Sequence, residues 1–258
     1  MPREARSLRV EAIVLKHSDF GEADRLLTLY TREQGKLRAL AKGARKPRSR
    51  KGGHIEPFSE VSLQLGKGSS LYIVSQAEAR DTHAALSENL VALGYASYVV
   101  ELLDKFTYDG DENRGLFRLL RETLGRLGQS AEAELAVRYY EVRLLDLLGF
   151  RPELQQCLNC GKQIQAEDQC FSIQIGGVLC PECGRREPGA DPISMPALKY
   201  LRHFQRSSYA DATRAQMPPS VKLELETLMD HYLTYLLERA LNSPRFLRRV
   251  RAAAQKAE

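Results

Sequence analysis

The sequence predicts an α+β chain of more than one domain: a small N-terminal β-barrel, then an all-α region interrupted by a cysteine-bearing insert. Three observations carry this. Apolar residues alternate over roughly the first 76 positions, recur at helical spacing beyond residue 81, and give way near residue 157 to paired cysteines. With 258 residues the chain has room for one large domain or two to three smaller ones.

Five strands are expected, over Leu8–Lys16, Arg25–Thr31, Lys36–Ala41, Ile55–Leu65 and Leu71–Gln76. The alternation is clearest at Val61, Leu63 and Leu65, answered by Leu71 and Ile73 across Gly66-Lys67-Gly68-Ser69-Ser70. Short strands punctuated by glycine, with no helix-length pattern between them, suit a closed barrel, and five in about 70 residues suit an OB-fold better than a sandwich.

The period then changes. Leu86, Leu90, Leu93, Val99, Leu103 and Phe106 predict helix between Asp81 and Phe106, and similar stripes cover Leu116–Leu127 and Leu135–Leu148. Gly149 ends the last of these and Pro152 keeps it from resuming. Helices return at Met195–Phe204 and Ser220–Leu241, with Ser220 as N-cap after Pro218-Pro219. A basic tail follows, carrying Arg245, Arg248, Arg249, Arg251 and Lys256.

Between the helical stretches stand Cys157-Leu158-Asn159-Cys160-Gly161 and Cys180-Pro181-Glu182-Cys183-Gly184, with 19 residues between the inner cysteines. This is zinc-ribbon spacing: each pair offers two thiolates on one side of a turn, and an intervening hairpin brings the pairs around a tetrahedral ion. Strands at Phe171–Ile175 and Val178–Leu179 joined at Gly176-Gly177 would form that hairpin. A glycine after each pair allows φ > 0 beneath the sulfurs. One zinc is expected, held by Cys157, Cys160, Cys180 and Cys183; four thiolates leave no open position, so its role is structural. The alternatives are four reduced thiols or two disulfides. Cys170 reads as a strand residue rather than a fifth ligand.

Charge is unevenly placed. Residues 1–52 hold 14 Lys/Arg against 6 Asp/Glu, leaving 24 against 27 for the remainder. Six of the ten residues from 42 to 51 are basic: Lys42, Arg45, Lys46, Arg48, Arg50 and Lys51. With its glycine and proline, the segment reads as a flexible cationic loop on the barrel rim, able to wrap a phosphate backbone without reading bases. Nucleic acid is the first candidate partner, an anionic membrane surface the second, and a solvated charge run the plain alternative. Tyr30, Phe58 and Tyr72 are base-stacking candidates, with core packing as the alternative for each.

Other classes find little support. No apolar run approaches the roughly 18 residues of a membrane span, and Met1–Val10 has arginines without a signal peptide's apolar stretch, so the cytoplasm is the expected location. Gly66–Ser70 lacks the full phosphate-loop run, and the five histidines form no His-x-x-x-His pattern. No enzyme is expected.

The segments Ala12–Leu15, Gly21–Leu27, Tyr30-Thr31, Gln34–Leu37, Ala41–Lys46 and Pro57-Phe58 closely resemble the N-terminal domain of the RecO family of bacterial DNA repair proteins. The helical block, Leu148–Pro152 and the two cysteine pairs resemble the rest of that family, so the similarity spans essentially the whole chain. It implies an OB-fold over 1–80, a helical domain over 81–152 and 189–258, and a zinc-ribbon insertion over 153–188. It further implies a nucleoid-associated role in the RecF pathway of recombinational repair. That role comprises binding single- and double-stranded DNA, annealing complementary strands without ATP, and working with RecR to help RecA replace the single-strand-binding protein SSB.

Charge and resemblance together give the expected DNA-contacting residues: Arg25, Lys36 and Arg38 on strands with Lys42, Arg45, Lys46, Arg48, Arg50 and Lys51, which would neutralise the phosphates of two strands. The helical domain would receive the acidic SSB tail in an apolar groove with a basic rim. Arg245, Arg248 and Arg249 are further DNA or partner contacts, or simply solvated helix-end charges. The competing class is a zinc-ribbon transcription or protein-interaction module. Against it, the stretch Cys157–Cys183 has a single positive side chain, Lys162.

Overall fold

A computed structural model describes residues 7–129 and 132–254. The barrel begins with β1 (Ser7–Phe20), which bends to serve two neighbours. Its first half pairs antiparallel with β4 (Glu60–Lys67), from Ser7 opposite Gly66 to Ile13 opposite Glu60. Its second half pairs antiparallel with β2 (Asp24–Thr31), from Ala12 opposite Thr31 to Phe20 opposite Asp24. The register slips between Val14 and Lys16, a bulge that lets one strand turn the barrel corner.

Next come β3 (Gly35–Ala41), antiparallel to β2, and β5 (Tyr72–Asp81), antiparallel to β4. A short parallel contact of Ala39 and Leu40 with Tyr72 and Ile73 closes the order β1-β2-β3-β5-β4. These period-two apolar positions point inward: Val10, Ala12 and Val14; Leu27 and Leu29; Leu37, Ala39 and Ala41; Val61, Leu63 and Leu65. On β5 the core residue is Val74, opposite Leu65, and not the expected Leu71 and Ile73, because the strand starts only at Tyr72. The OB-like barrel is therefore present.

The largest departures from the expected strand bounds are at β1, β4 and β5, and β1 runs on to Phe20 rather than ending at Lys16. β4 starts at Glu60, not Ile55, because Pro57 is followed by Phe58 at φ 72°, a left-handed turn that no strand accommodates. Ile55 is still a core residue, but from the preceding turn. β5 runs on to Asp81, and the helix expected from there splits in two: α1 (Ala84–Glu88) and α2 (Leu90–Phe106). The break is at Asn89, whose side chain accepts from the N–H groups of Val91 and Ala92 and so starts a new helix.

By contact the chain divides into two compact units. The first holds the barrel, α1, α2, α3 (Arg114–Gln129) and the last helix, α9 (Ser243–Ala254). The tail expected to belong with the second helical stretch thus folds as a helix on α2, while Lys256 lies outside the described residues. Leu247 and Val250 of α9 are buried, and a Cβ at Gly94 of α2 would come within 2.9 Å of the Leu247 side chain. Glu101 of α2 accepts from both the N–H and the hydroxyl of Ser243, and Arg251 stands 5.3 Å over the Tyr95 ring.

Barrel and α2 are also joined by ions. Lys36 donates to the carbonyls of Asp104 and Thr107, and Asp104 takes both Lys16, at 2.6 Å, and Lys36, at 3.4 Å. Burial by itself would raise the Asp104 carboxyl; the hydrogen bond and charge of Lys16, with Lys36 behind them, hold it below the usual carboxylate range.

The second unit spans Glu132–Asn242. α4 (Ala133–Leu148) ends at Gly149, left-handed at φ 81° with its N–H returned to Leu145 and Asp146, as the sequence predicts. A three-stranded sheet follows, in the order β7 (Gly177–Leu179), β6 (Gln169–Ser172), β8 (Ala190–Ile193). The sequence predicts only two strands here, the first reaching Ile175; β6 stops at Ser172 and residues 173–176 form the turn, while β8, with Pro192 inside it, lacks a strand-like apolar pattern and is held as an edge by pairing to β6. One helical turn, α5 (Pro181–Gly184), links β7 to β8. The unit closes with α6 (Met195–Arg206), α7 (Tyr209–Ala212) and α8 (Pro219–Leu237). α8 starts from Pro218 rather than Ser220: Pro219 at the first helical position is pre-set in φ and needs no N–H partner.

Candidate metal centre and nucleic-acid interface

The first cysteine pair sits on a tight turn. Gly161 at φ 72° returns its N–H to the Cys157 carbonyl, Cys157 N–H bonds Lys162, and Leu158 N–H bonds Val178, which pins the turn to β7. The second pair brackets α5: Cys180 precedes its first residue, and Gly184 N–H returns to the Cys180 carbonyl. The sequence expects a positive φ at Gly184 as at Gly161, but Gly184 is not left-handed, and the structure gives a different reason for the glycine. A Cβ there would lie 2.3 Å from the Cys170 sulfur, so Gly184 is required by close packing on β6. Cys170 is accordingly a strand residue packed behind the turn.

The four thiol sulfurs of Cys157, Cys160, Cys180 and Cys183 lie within 4.8 Å of one another, and Cys160 and Cys180 are 3.9 Å apart. A tetrahedron with metal–sulfur bonds of about 2.3 Å has edges of about 3.8 Å, so the spacing fits a tetrathiolate ion. The protonation chemistry also fits. Burial alone would raise the Cys157 thiol, but bonds from the backbone at Cys160, Cys180 and Asn159 bring it down to about 6. Cys183 is pushed up to about 12, first by its bond with Cys180, then by burial and by Cys160 and Cys157. One thiolate forms readily while the last is opposed by its neighbours, the situation a bound dication reverses. Phe171 meets Tyr232 edge-on at 5.5 Å, and Arg202 donates twice to the Leu154 carbonyl, fixing the module to α8 and α6.

On the barrel, the basic segment is not the flexible strap its composition suggests. It is a run of turns closed by Ala44 N–H to Ala41, Lys46 N–H to Gly43 and Ser49 N–H to Lys46. Asp24 accepts from Gly43 N–H at 2.7 Å, and Arg45 N–H reaches Ala23. The cations divide into two groups. Lys42, Lys46, Arg48 and Arg50 are exposed, as is Arg38 on β3. The rest are engaged within the chain: Arg25 with Glu56 at 2.7 Å, Arg45, itself exposed, with Asp19 at 3.2 Å, Lys51 with the Val74 carbonyl, and Lys36 in the Asp104 cluster. Tyr30 is fully buried and Tyr72 half-buried. Tyr72 lines a cleft of about 510 Å³ between β3 and the β4–β5 turn, together with Arg38 and Lys67. Gly66–Ser70 is that hairpin turn, with Gly68 N–H bonded to Leu71. On α9, Arg245, Arg248 and Arg249 face solvent.

Sequence reasoning missed Tyr108, on the α2–α3 loop, which is 80% exposed and adjoins cleft residues Asp109 and Gly110. An aromatic flanked by Asp-Gly is a detectable loop signal, but nothing in the sequence places it beside β3.

An OB-like barrel with an exposed cationic rim, continued by helices that carry a four-thiol ribbon, defines the class of this protein. The family model for the Recombination protein O N terminal matches residues 6–83, and that for the Recombination protein O C terminal matches residues 87–245. The chain is 40% identical over 246 residues to the DNA repair protein RecO of Roseiflexus sp. (strain RS-1), covering 95% of this chain and 87% of that one. It is 35% identical over 242 residues to the DNA repair protein RecO of Desulforamulus reducens, covering 94% of each. The chain belongs to the RecO family, a family of DNA repair and recombination. Among the described residues no helix is long and apolar enough to cross a membrane.

Proposed function

We propose that this chain is a recombination mediator that binds single- and double-stranded DNA and anneals complementary strands without ATP, acting as a binding protein rather than an enzyme. The observation that carries this is the exposed set Arg38, Lys42, Lys46, Arg48 and Arg50 on one barrel. Held by β3 and by ordered turns, these cations lower the repulsion between two phosphate backbones. Family membership supports the remaining steps: recruitment through the acidic tail of SSB to the helical part, and action with RecR in loading RecA on SSB-coated single strands. The same reading places the protein in the bacterial cytoplasm, with the nucleoid. Cys157, Cys160, Cys180 and Cys183 would hold one zinc ion, which closes the ribbon and leaves no position for substrate.

The test is annealing of complementary oligonucleotides without ATP, with and without SSB. The protein should accelerate annealing in both, and charge reversal at Lys42, Lys46 and Arg48 should remove the acceleration. Unchanged annealing by that variant would sink the barrel assignment. Titration with an SSB tail peptide at low salt checks the recruitment step; absence of binding rejects it.

A further inference from the structure

A second cleft, of about 580 Å³, lies on the outer face of β1, β4 and β5 and shares no lining residue with the first. It is lined by Arg9, Ser62, Gln64, Ser75, Gln76 and Glu78, with Arg50 and Lys51 reaching in from the basic turns. Register aligns its side chains: Arg9 is opposite Gln64, and Gln64 is opposite Gln76. A guanidinium and two amides thus form a row across three strands. Adjacent strands lie about 4.8 Å apart, so the row spans about 10 Å, roughly the rise of three base pairs. Arg9 is held in the row by its bond to the Ser62 hydroxyl.

The two clefts differ in chemistry. The first joins cations to Tyr72 and adjoins exposed Tyr108, the combination that holds unstacked bases. The second has three cations against one carboxylate, Glu78, and no aromatic ring in its lining. Without a stacking surface it has nothing to hold a splayed base, but its row of donors suits phosphate oxygens already fixed in a helix.

We propose that the β1–β4–β5 face is a docking site for the phosphodiester backbone of duplex DNA, separate from the single-strand cleft beside β3. This rests on the DNA-binding reading above. It would let one barrel keep hold of the duplex product of annealing while its other cleft engages the next unpaired strand.

The test measures affinity of the full chain for a fluorescent duplex and a fluorescent single strand as a function of salt, for the wild type and for Arg9→Glu with Gln76→Glu. Both positions are exposed, and circular dichroism checks the fold. The expected result is a duplex affinity lower by about tenfold or more with a shallower salt slope, and little change for the single strand. Equal loss for both substrates would mean one shared surface and overturn the proposal, as would no loss for either. An acidic peptide bound by the wild type and lost in the variant, with duplex binding retained, would assign the face to a protein partner instead. A wild type that binds neither DNA would reject the underlying reading, an outcome distinct from all of these.

Discussion

The cysteine ribbon and the basic barrel rim are both built from turns, yet their functional residues are fixed by different means. In the ribbon four sulfurs must converge, and the chain achieves this with short covalent spacing, one left-handed glycine and one glycine that admits Cys170. On the barrel the cations need only to be available to a ligand, and how far each is depends on acids distant in sequence: Asp19 pairs with the still exposed Arg45, Glu56 takes Arg25, and Asp104 takes Lys36. A motif specifies the first kind of site. The second kind is what remains after the fold has used part of its charge.

The largest effect is expected from removing metal. Structural zinc binds with about 10–16 kcal/mol in small zinc-dependent peptides, so strong chelation or Cys157→Ser should lower the melting temperature of the second unit more than any other single change. Single-strand affinity should stay within about twofold, because the proposed phosphate contacts sit on the barrel. Differential scanning calorimetry with parallel anisotropy checks both. A single transition in which chelation also abolishes DNA binding would break the comparison, and metal analysis finding no zinc would remove its first half.

Charge reversal at Lys42, Lys46 and Arg48 comes next. Three lost phosphate contacts should flatten the salt slope for single strands by about 2 and reduce affinity roughly hundredfold near 0.1 M salt. Arg45→Ala should do much less, since that guanidinium already faces Asp19 and the carbonyls of Gly21 and Glu22. If reversal at Arg245, Arg248 and Arg249 had the larger effect, the DNA site would be on α9.

Asp104→Asn should destabilise the first unit by about 2 kcal/mol, because it leaves Lys36 half-buried without its carboxylate. Since the Asp104 carboxyl is held below its ordinary value of about 3.9, its contribution is present above that pH and is lost as pH falls through the lowered value. Acid titration should therefore show a steeper loss of stability in the wild type than in the variant. The smallest change is Asn89→Ala, expected to cost about 1 kcal/mol as a lost helix cap, with Asn89→Asp close to neutral in the same denaturant experiment.

Sequence reading succeeded where period and spacing determine the outcome. The five strands, the stop at Gly149 and the four clustered thiols all follow from local pattern. It fell short where tertiary pairing decides: β8 exists because β6 offers an edge, α1 and α2 separate because one asparagine caps, and the engaged arginines look in sequence like the exposed ones. The place of Tyr108 beside β3 is hidden for the same reason, since that neighbourhood is made by Gly110 N–H bonding to Lys36 across the fold.

The grip of Glu101 on Ser243 bears on the order of events during synthesis. α9 leaves the ribosome only after the whole second unit, so the face of α2 around Gly94 has no cover while those intervening residues are being made. The barrel can close early from its own strands, but its helical companion must wait, with apolar surface open to chaperones or to a neighbouring nascent chain. A ribosome stalled inside the second unit would hold a finished barrel on an unfinished support.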